Sequence, residues 1–261
     1  MRRLLASASL AASLLLPCIA GATPRVAVYG GTDGVSATHH IADELTATGA
    51  FNSVTILNGS ETTSALAGFN SILFYTNVGG DSAFANKMTT YVNNGGHLVD
   101  ATFLQQADAM GGTNSLATLA PLVPFSGYGG NYITQVSMVN PTPTDPLMQG
   151  VGSLSAFYHD RTSLAPGARL VASWSDGTPL VAVSTSGVVG INLFPNDAYG
   201  YVYGDYVQLF TNALGGTSQS FAIASASANP VPEPGAISLM IGALTLGATR
   251  LRPRWRQARR G

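Results

Sequence analysis

Four short apolar runs, separated by two stretches of helical periodicity, occupy Arg25 to Ala101, and few folds accept that order. The runs are RVAVY (25–29), SVTIL (53–57), SILFY (71–75) and HLVDA (97–101). Ile41 and Leu45 fall on one face of a helix over Thr38–Thr48, which Gly49 stops. Phe84, Met88, Tyr91 and Val92 do the same over Ala83–Val92, ahead of Asn94-Gly95-Gly96. A β-α-β-β-α-β order predicts an α/β fold: a mostly parallel sheet with helices on both faces. Such sheets bury both sides of their strands, which explains apolar runs without alternation. Their functional sites lie at the strands' carboxyl ends. Here those ends are 30–34, 76–81 and 101–105.

The second half is less regular. Residues 106–132, rich in Gly, Ala and Leu, are expected to be partly helical. Strands are expected at 169–173, 179–183 and 188–194, split by turns at Asp176-Gly177 and Ser186-Gly187, with a closing helix over 206–214.

Both ends of the chain fall outside this pattern. Twelve Lys and Arg oppose thirteen Asp and Glu, a net −1. Yet Arg2 and Arg3 open the chain, and Arg250, Arg252, Arg254, Arg256, Arg259 and Arg260 close it. Only Arg25, Lys87, Arg161 and Arg169 lie between, against every acidic residue but Glu233, so the middle is near −8. An acidic middle gives a nucleic-acid backbone nothing to bind. At the amino end, two arginines, an uncharged stretch from Leu4 to Leu16 and Ala20-Gly21-Ala22 make a secretory signal over residues 1–22, cleaved by signal peptidase after Ala22. The only cysteine, Cys18, leaves with it, and Pro17 departs from a lipoprotein pattern. The exported chain then has no disulfide, no thiolate metal site and no Cys nucleophile.

At the carboxyl end, a Ser/Ala-rich linker over 217–230 leads to Pro232-Glu233-Pro234, an uncharged stretch over 235–249 within an expected transmembrane span over 235–251, and the arginine tail. A helix rises about 1.5 Å per residue, so this span is short for a bilayer. Leu251 and snorkelling arginines extend it. The arginines belong on the cytoplasmic side and the domain on the other. These three parts, in this order, resemble the PEP-CTERM sorting signal of Gram-negative bacteria. The resemblance implies an exosortase that cuts near the motif, and a precursor held transiently in the inner membrane with its domain in the periplasm. It also implies a mature form at the cell surface or outside the cell, with extracellular polysaccharide as a partner.

The middle, 23–216, carries RVAVY, YVNNGGHLVDATF, NPTPTDPLMQGV, LAPGARLVASWSDGTPLVAV and GVVGINLFPND. Together these resemble the class I glutamine amidotransferase-like domains, which implies a flavodoxin-like fold. That family's enzymes use a Cys on a tight turn after the strand matching His97–Ala101, with a late His and an acidic partner. Here Thr102-Phe103 follows that strand, no G-x-C-x-G or G-x-S-x-G elbow is present, and no histidine follows His159. The expectation is therefore a non-catalytic exported protein without cofactor or metal, and fold alone does not transfer the activity.

The alternative is a secreted hydrolase with a non-Cys acid/base site drawn from Asp33, Asp100 and His159. Asp100 stands near a strand end, as a pocket residue or a buried cap. Tyr158-His159-Asp160-Arg161 reads as an acid/base site or as a loop ion-pair cluster. His39-His40 point about 100° apart on a helix, unsuited to one metal. Gly30 to Gly34 form a phosphate-cradling turn or merely a tight βα turn, and lack both GxGxxG spacing and a P-loop Lys. Asn196, Asp197 and Asp205 are candidate Ca²⁺ oxygen ligands without a loop pattern. Tyr199, Tyr201, Tyr203 and Tyr206 make an aromatic patch suited to glycans or to loop packing.

Overall fold

A computed structural model describes residues 23–31, 35–76, 82–104, 116–139, 141–196 and 200–215. The signal segment, the linker, the Pro-Glu-Pro motif and the apolar span with its arginine tail lie outside the described residues, as does Asp33. The chain divides into two units, 1–220 and 221–261, and every described residue belongs to the first. Among the described residues no helix is long and apolar enough to cross a membrane.

The first half follows the expected order: β1 (Arg25–Tyr29), α1 (Val35–Ala47), β2 (Ser53–Ile56), the short α2 (Thr63–Leu66), β3 (Ser71–Phe74), α3 (Ser82–Asn93) and β4 (His97–Ala101). The rest runs through a 3-10 segment (Ala117–Leu122), β5 (Phe125–Ser126), β6 (Asn131–Val139), a 3-10 turn (Pro146–Met148) and β7 (Leu154–Asp160). It finishes with β8 (Ser163–Leu164), β9 (Arg169–Trp174), β10 (Pro179–Val183), β11 (Val189–Ile191), β12 (Val202–Gly204) and α4 (Tyr206–Ala213).

Ten strands form one sheet in the order β12-β7-β6-β9-β10-β11-β4-β3-β1-β2, while β5 and β8 pair separately. The run β2-β1-β3-β4-β11 is parallel throughout, the doubly wound order of a flavodoxin-like fold. From β11 outward every pairing is antiparallel, so the sheet is mixed rather than mostly parallel. The turns at Asp176-Gly177 and Ser186-Gly187 are the reason. Connections this short join only antiparallel neighbours, and a parallel return needs a crossover of a dozen residues or more. Strand β6 meets β9 only at Met138↔Trp174 and Val139↔Ser173, and its register with β7 slips between Ile133 and Val136. A bulge of this kind bends a strand.

Two cores flank the parallel half. On one face α1 and α4 pack Ile41, Leu45, Leu209 and Phe210 against Val26, Val28 and Val99. On the other, Phe84 and Met88 of α3 and Leu119 pack against Ala27, Ile72 and Leu98. Tyr29, Phe74 and Phe84 join there, with ring centroids 3.9–5.7 Å apart. Each buried side chain of this size adds about 1.5–3 kcal/mol of transfer free energy. Helix α4 closes the domain. Ser71 Oγ donates to the Leu214 carbonyl at 2.8 Å, and His97 Nε2 to the Ala213 carbonyl at 2.7 Å. Carbonyls that a helix leaves unpaired at its end are thereby satisfied.

Candidate functional site

Strand β4 ends where the resemblance would place a nucleophile. Ala101, Thr102, Phe103 and Leu104 are all buried. The Thr102 hydroxyl donates to Asn192 Oδ1 at 2.9 Å. The four histidines lie elsewhere. His97 begins β4 and binds a helix carbonyl, His39 and His40 ride on α1, and His159 Nε2 bonds Asp176 Oδ2 at 2.7 Å.

Asn192 is the hub of this region, and it sits directly after β11 with 1% exposure. Its Oδ1 also accepts the Asp160 N–H at 2.8 Å, and its Nδ2 donates to the carbonyls of Asp160 (2.9 Å) and Pro179 (3.0 Å). Its own carbonyl accepts from Trp174 Nε1 at 2.9 Å. The ends of β4, β7 and β10 are thus tied to one side chain. Sequence reading missed it, although a lone Asn inside the apolar GINLF was the available signal: buried amides are normally hydrogen-bonded.

Asp100 and Asp160 are both fully buried. Neither carboxyl oxygen of Asp160 has a hydrogen-bond partner. Burial, and then the charge of Asp100, push the Asp160 carboxyl up to about 8. Tyr158-His159-Asp160 is strand, not loop: it forms the end of β7, paired with β6. Successive strand residues turn opposite ways, so His159 and Asp160 part. His159 lies beside Trp174, ring centroids 5.9 Å apart, and meets Asp176 in the β9–β10 turn. Burial holds its imidazole below the usual range, outweighing the attraction of Asp176. Of the hydrolase candidates, Asp100 acts electrostatically on Asp160, and His159 pairs with Asp176.

The other candidates resolve structurally. A Cβ on Gly30 would lie 2.1 Å from Thr38 Oγ1 and 2.7 Å from the Tyr75 ring, so side chains crowd Gly30, while residues 32–34 lie outside the described residues. Tyr75 and Thr38 share a hydrogen bond of 2.8 Å. His40 faces Glu44 at 3.4 Å along α1, and Tyr206 donates its hydroxyl to the same Glu44. Asp205 clamps a loop, accepting the N–H groups of Gly152 and Ser153 at 2.8 and 2.9 Å. Asp197 and Tyr199 lie outside the described residues. Tyr201 meets Tyr158 edge to face at 4.6 Å, and Tyr158 continues through Phe103 to Phe194 at 6.0 and 5.4 Å. Among the described residues no group of three or more His, Cys, Asp or Glu side chains is placed to hold a metal ion. At the opposite edge of the sheet, a hollow of about 280 Å³ is lined by uncharged groups, including Phe69, Asn70, Thr90 and Asn94.

No family model matches the chain, and no curated protein matches it. Solved structures do. A ThuA-like protein from Bacteroides uniformis aligns with TM-score 0.55 at 14% identity, over 74% of this chain and 91% of that one. A cytoplasmic protein from Salmonella typhimurium aligns with TM-score 0.54 at 13% identity, over 74% and 98%. A second cytoplasmic protein from Salmonella typhimurium LT2 aligns with TM-score 0.54 at 15% identity, over 73% and 98%. Likeness at this level shows the fold alone, a flavodoxin-like α/β domain.

Proposed function

We propose that this chain is an exported cell-surface or extracellular-matrix protein, sorted by an exosortase through Pro232-Glu233-Pro234, whose amidotransferase-like domain is non-catalytic. The sorting part is supported by the order of motif, apolar span and arginine tail. In this reading signal peptidase removes the segment ending at Ala22, the inner membrane holds the precursor transiently, and extracellular polysaccharide is the environment it joins. The non-catalytic part is carried by one observation. Thr102 stands at the nucleophile position, yet its hydroxyl is committed to Asn192, while His97 opens the same strand at its far end and the other three histidines lie on α1 and β7. A hydroxyl without a base in reach is a weak nucleophile.

The test is expression of the full chain in a Gram-negative host with and without an exosortase, followed by mass spectrometry of both ends. The expected product starts after Ala22 and has lost the arginine tail only where the exosortase is present. An intact Gly261 end in both hosts overturns the sorting assignment.

A further inference from the structure

We propose that the turn Asn58-Gly59-Ser60-Glu61 modifies itself: the Gly59 nitrogen attacks the Asn58 side-chain amide and expels ammonia, leaving a cyclic imide that water opens. The turn joins β2 to α2, with Asn58 and Ser60 exposed and Gly59 and Glu61 half-buried. An Asn that bonds the backbone two residues on is an ordinary turn device. Here Asn58 Oδ1 accepts both the Ser60 N–H at 2.9 Å and the Ser60 hydroxyl at 2.6 Å. What this turn adds is a carboxylate. Glu61 Oε2 accepts the Gly59 N–H at 3.0 Å, while its Oε1 accepts the Asn58 N–H at 2.9 Å. The glycine is fixed from two sides. Lys87 of α3 donates to its carbonyl at 2.7 Å, and at φ +85° a Cβ would lie 2.7 Å from the Tyr29 hydroxyl. Only glycine is accommodated there, and its nitrogen has no side chain beside it.

These groups divide the work of an acyl transfer. Nucleophile and electrophile are neighbours in the chain, so the attack is intramolecular. Glu61 takes the Gly59 proton as the nitrogen bonds to Asn58 Cγ. The two Ser60 donors meet the negative charge that gathers on Oδ1. The Cγ–Nδ2 bond then breaks, and Nδ2 leaves as ammonia with the proton that Glu61 returns. Water opens the imide at either carbonyl, to aspartate or to isoaspartate. In sum one water enters and one ammonia leaves, with no change of oxidation state. The product sets a second carboxylate beside Glu61 and Lys87, next to the β2 edge of the sheet. The chain's second Asn-Gly pair, Asn94-Gly95, is an internal control. There the Gly95 N–H donates to the Val92 carbonyl at 2.9 Å, and a neutral carbonyl is too weak a base to take the proton.

The test is incubation of the full chain in detergent, followed by peptide mapping by mass spectrometry for the amide-to-acid mass gain and for isoaspartate. At neutral pH Asn58 should convert at least about tenfold faster than Asn94. Between about pH 6 and pH 8 the Asn94 rate should follow hydroxide, about tenfold per unit, and the Asn58 rate should climb less than about threefold per unit, because its base is built in. Glu61→Gln should slow Asn58 at least about tenfold and restore the steep slope. Ser60→Ala should slow it at least about twofold. Conversion at Asn58 no faster than at Asn94 overturns the proposal without any variant. So do equal pH slopes at the two sites, or an Asn58 rate in Glu61→Gln that is unchanged or raised.

Discussion

Asn192 grips the Asp160 peptide from both sides, accepting its N–H at 2.8 Å and donating to its carbonyl at 2.9 Å. One amide side chain thus imitates a strand partner beyond the last ladder position of β11. The doubly wound half and the antiparallel half meet along the β10–β11 ladder, and this imitation ties the end of β7 to the same place. Replacing Asn192 with Leu removes the partner it gives to the Asp160 N–H, the Pro179 carbonyl and the Thr102 hydroxyl, while the Asp160 carbonyl keeps the Thr162 N–H. At about 1–3 kcal/mol for each buried unsatisfied group, the loss should reach at least about 3 kcal/mol in equilibrium denaturation. A loss under about 1 kcal/mol would remove the hub role.

His159 gives the stability curve its acid limb. Its folded imidazole gains a proton less readily than the unfolded one, because burial opposes the charge. Stability from this group is present at neutral pH and drains away as pH falls below about 6.5. Asp160 has the opposite sign. Its carboxyl is raised to about 8, so folded protein holds a proton that unfolded protein releases, and stability falls as pH climbs from about 4 to 8 at up to about 1.4 kcal/mol per unit. His159→Gln should flatten the acid limb and leave the alkaline one. Thermal melts across the range that show the acid limb unchanged in this variant would refute the assignment.

The end of α4 supplies a local test. Ser71→Ala and His97→Ala each remove one donor from adjacent helix carbonyls. Each should cost about 1 kcal/mol and raise hydrogen exchange within 206–215 more than within α1. Uniform destabilisation would show that the bonds do not anchor the helix.

Two glycines with nearly equal φ separate strain from crowding. Gly204 has φ +89°, and a Cβ there would lie 2.3 Å from the Ser153 carbonyl oxygen. Gly177 has φ +88° with nothing within 4 Å of that Cβ. Gly177→Ala should cost only the conformational penalty, about 1 kcal/mol, and Gly204→Ala should cost at least about 2 kcal/mol more. Equal losses in denaturant titrations would mean that the backbone at Ser153 yields freely.

How much of this was legible in the sequence follows from range. RVAVY, HLVDA and the helix over YVQLFTNAL carry their periodicity locally, and the structure places them within a residue or so of expectation. Strands β6 and β7 were missed for separate reasons. A register slip interrupts the alternation of NYITQVSMV, and LSAFYHD ends in charged residues that ordinarily mark a surface. Within 106–132, expected to be partly helical, residues 117–122 form a 3-10 segment and 125–126 a short strand. Asp100 was visible as a strand-end acid. Asp160 was visible only as the acid of Tyr158-His159-Asp160-Arg161; its burial was not legible, because it depends on Asn192, 32 residues away in sequence, and on a strand that runs back across the carboxyl edge.

The anchoring of α4 has a consequence for attachment. Arg25, Ser71 and His97 begin parallel strands at one edge of the sheet, and Leu214 and Ala213 are fastened to the last two. Entry and exit of the described chain therefore share one pole, while Thr102 and Asn192 crown the other. The flanking segments are thus joined to the domain at the pole opposite Thr102 and Asn192.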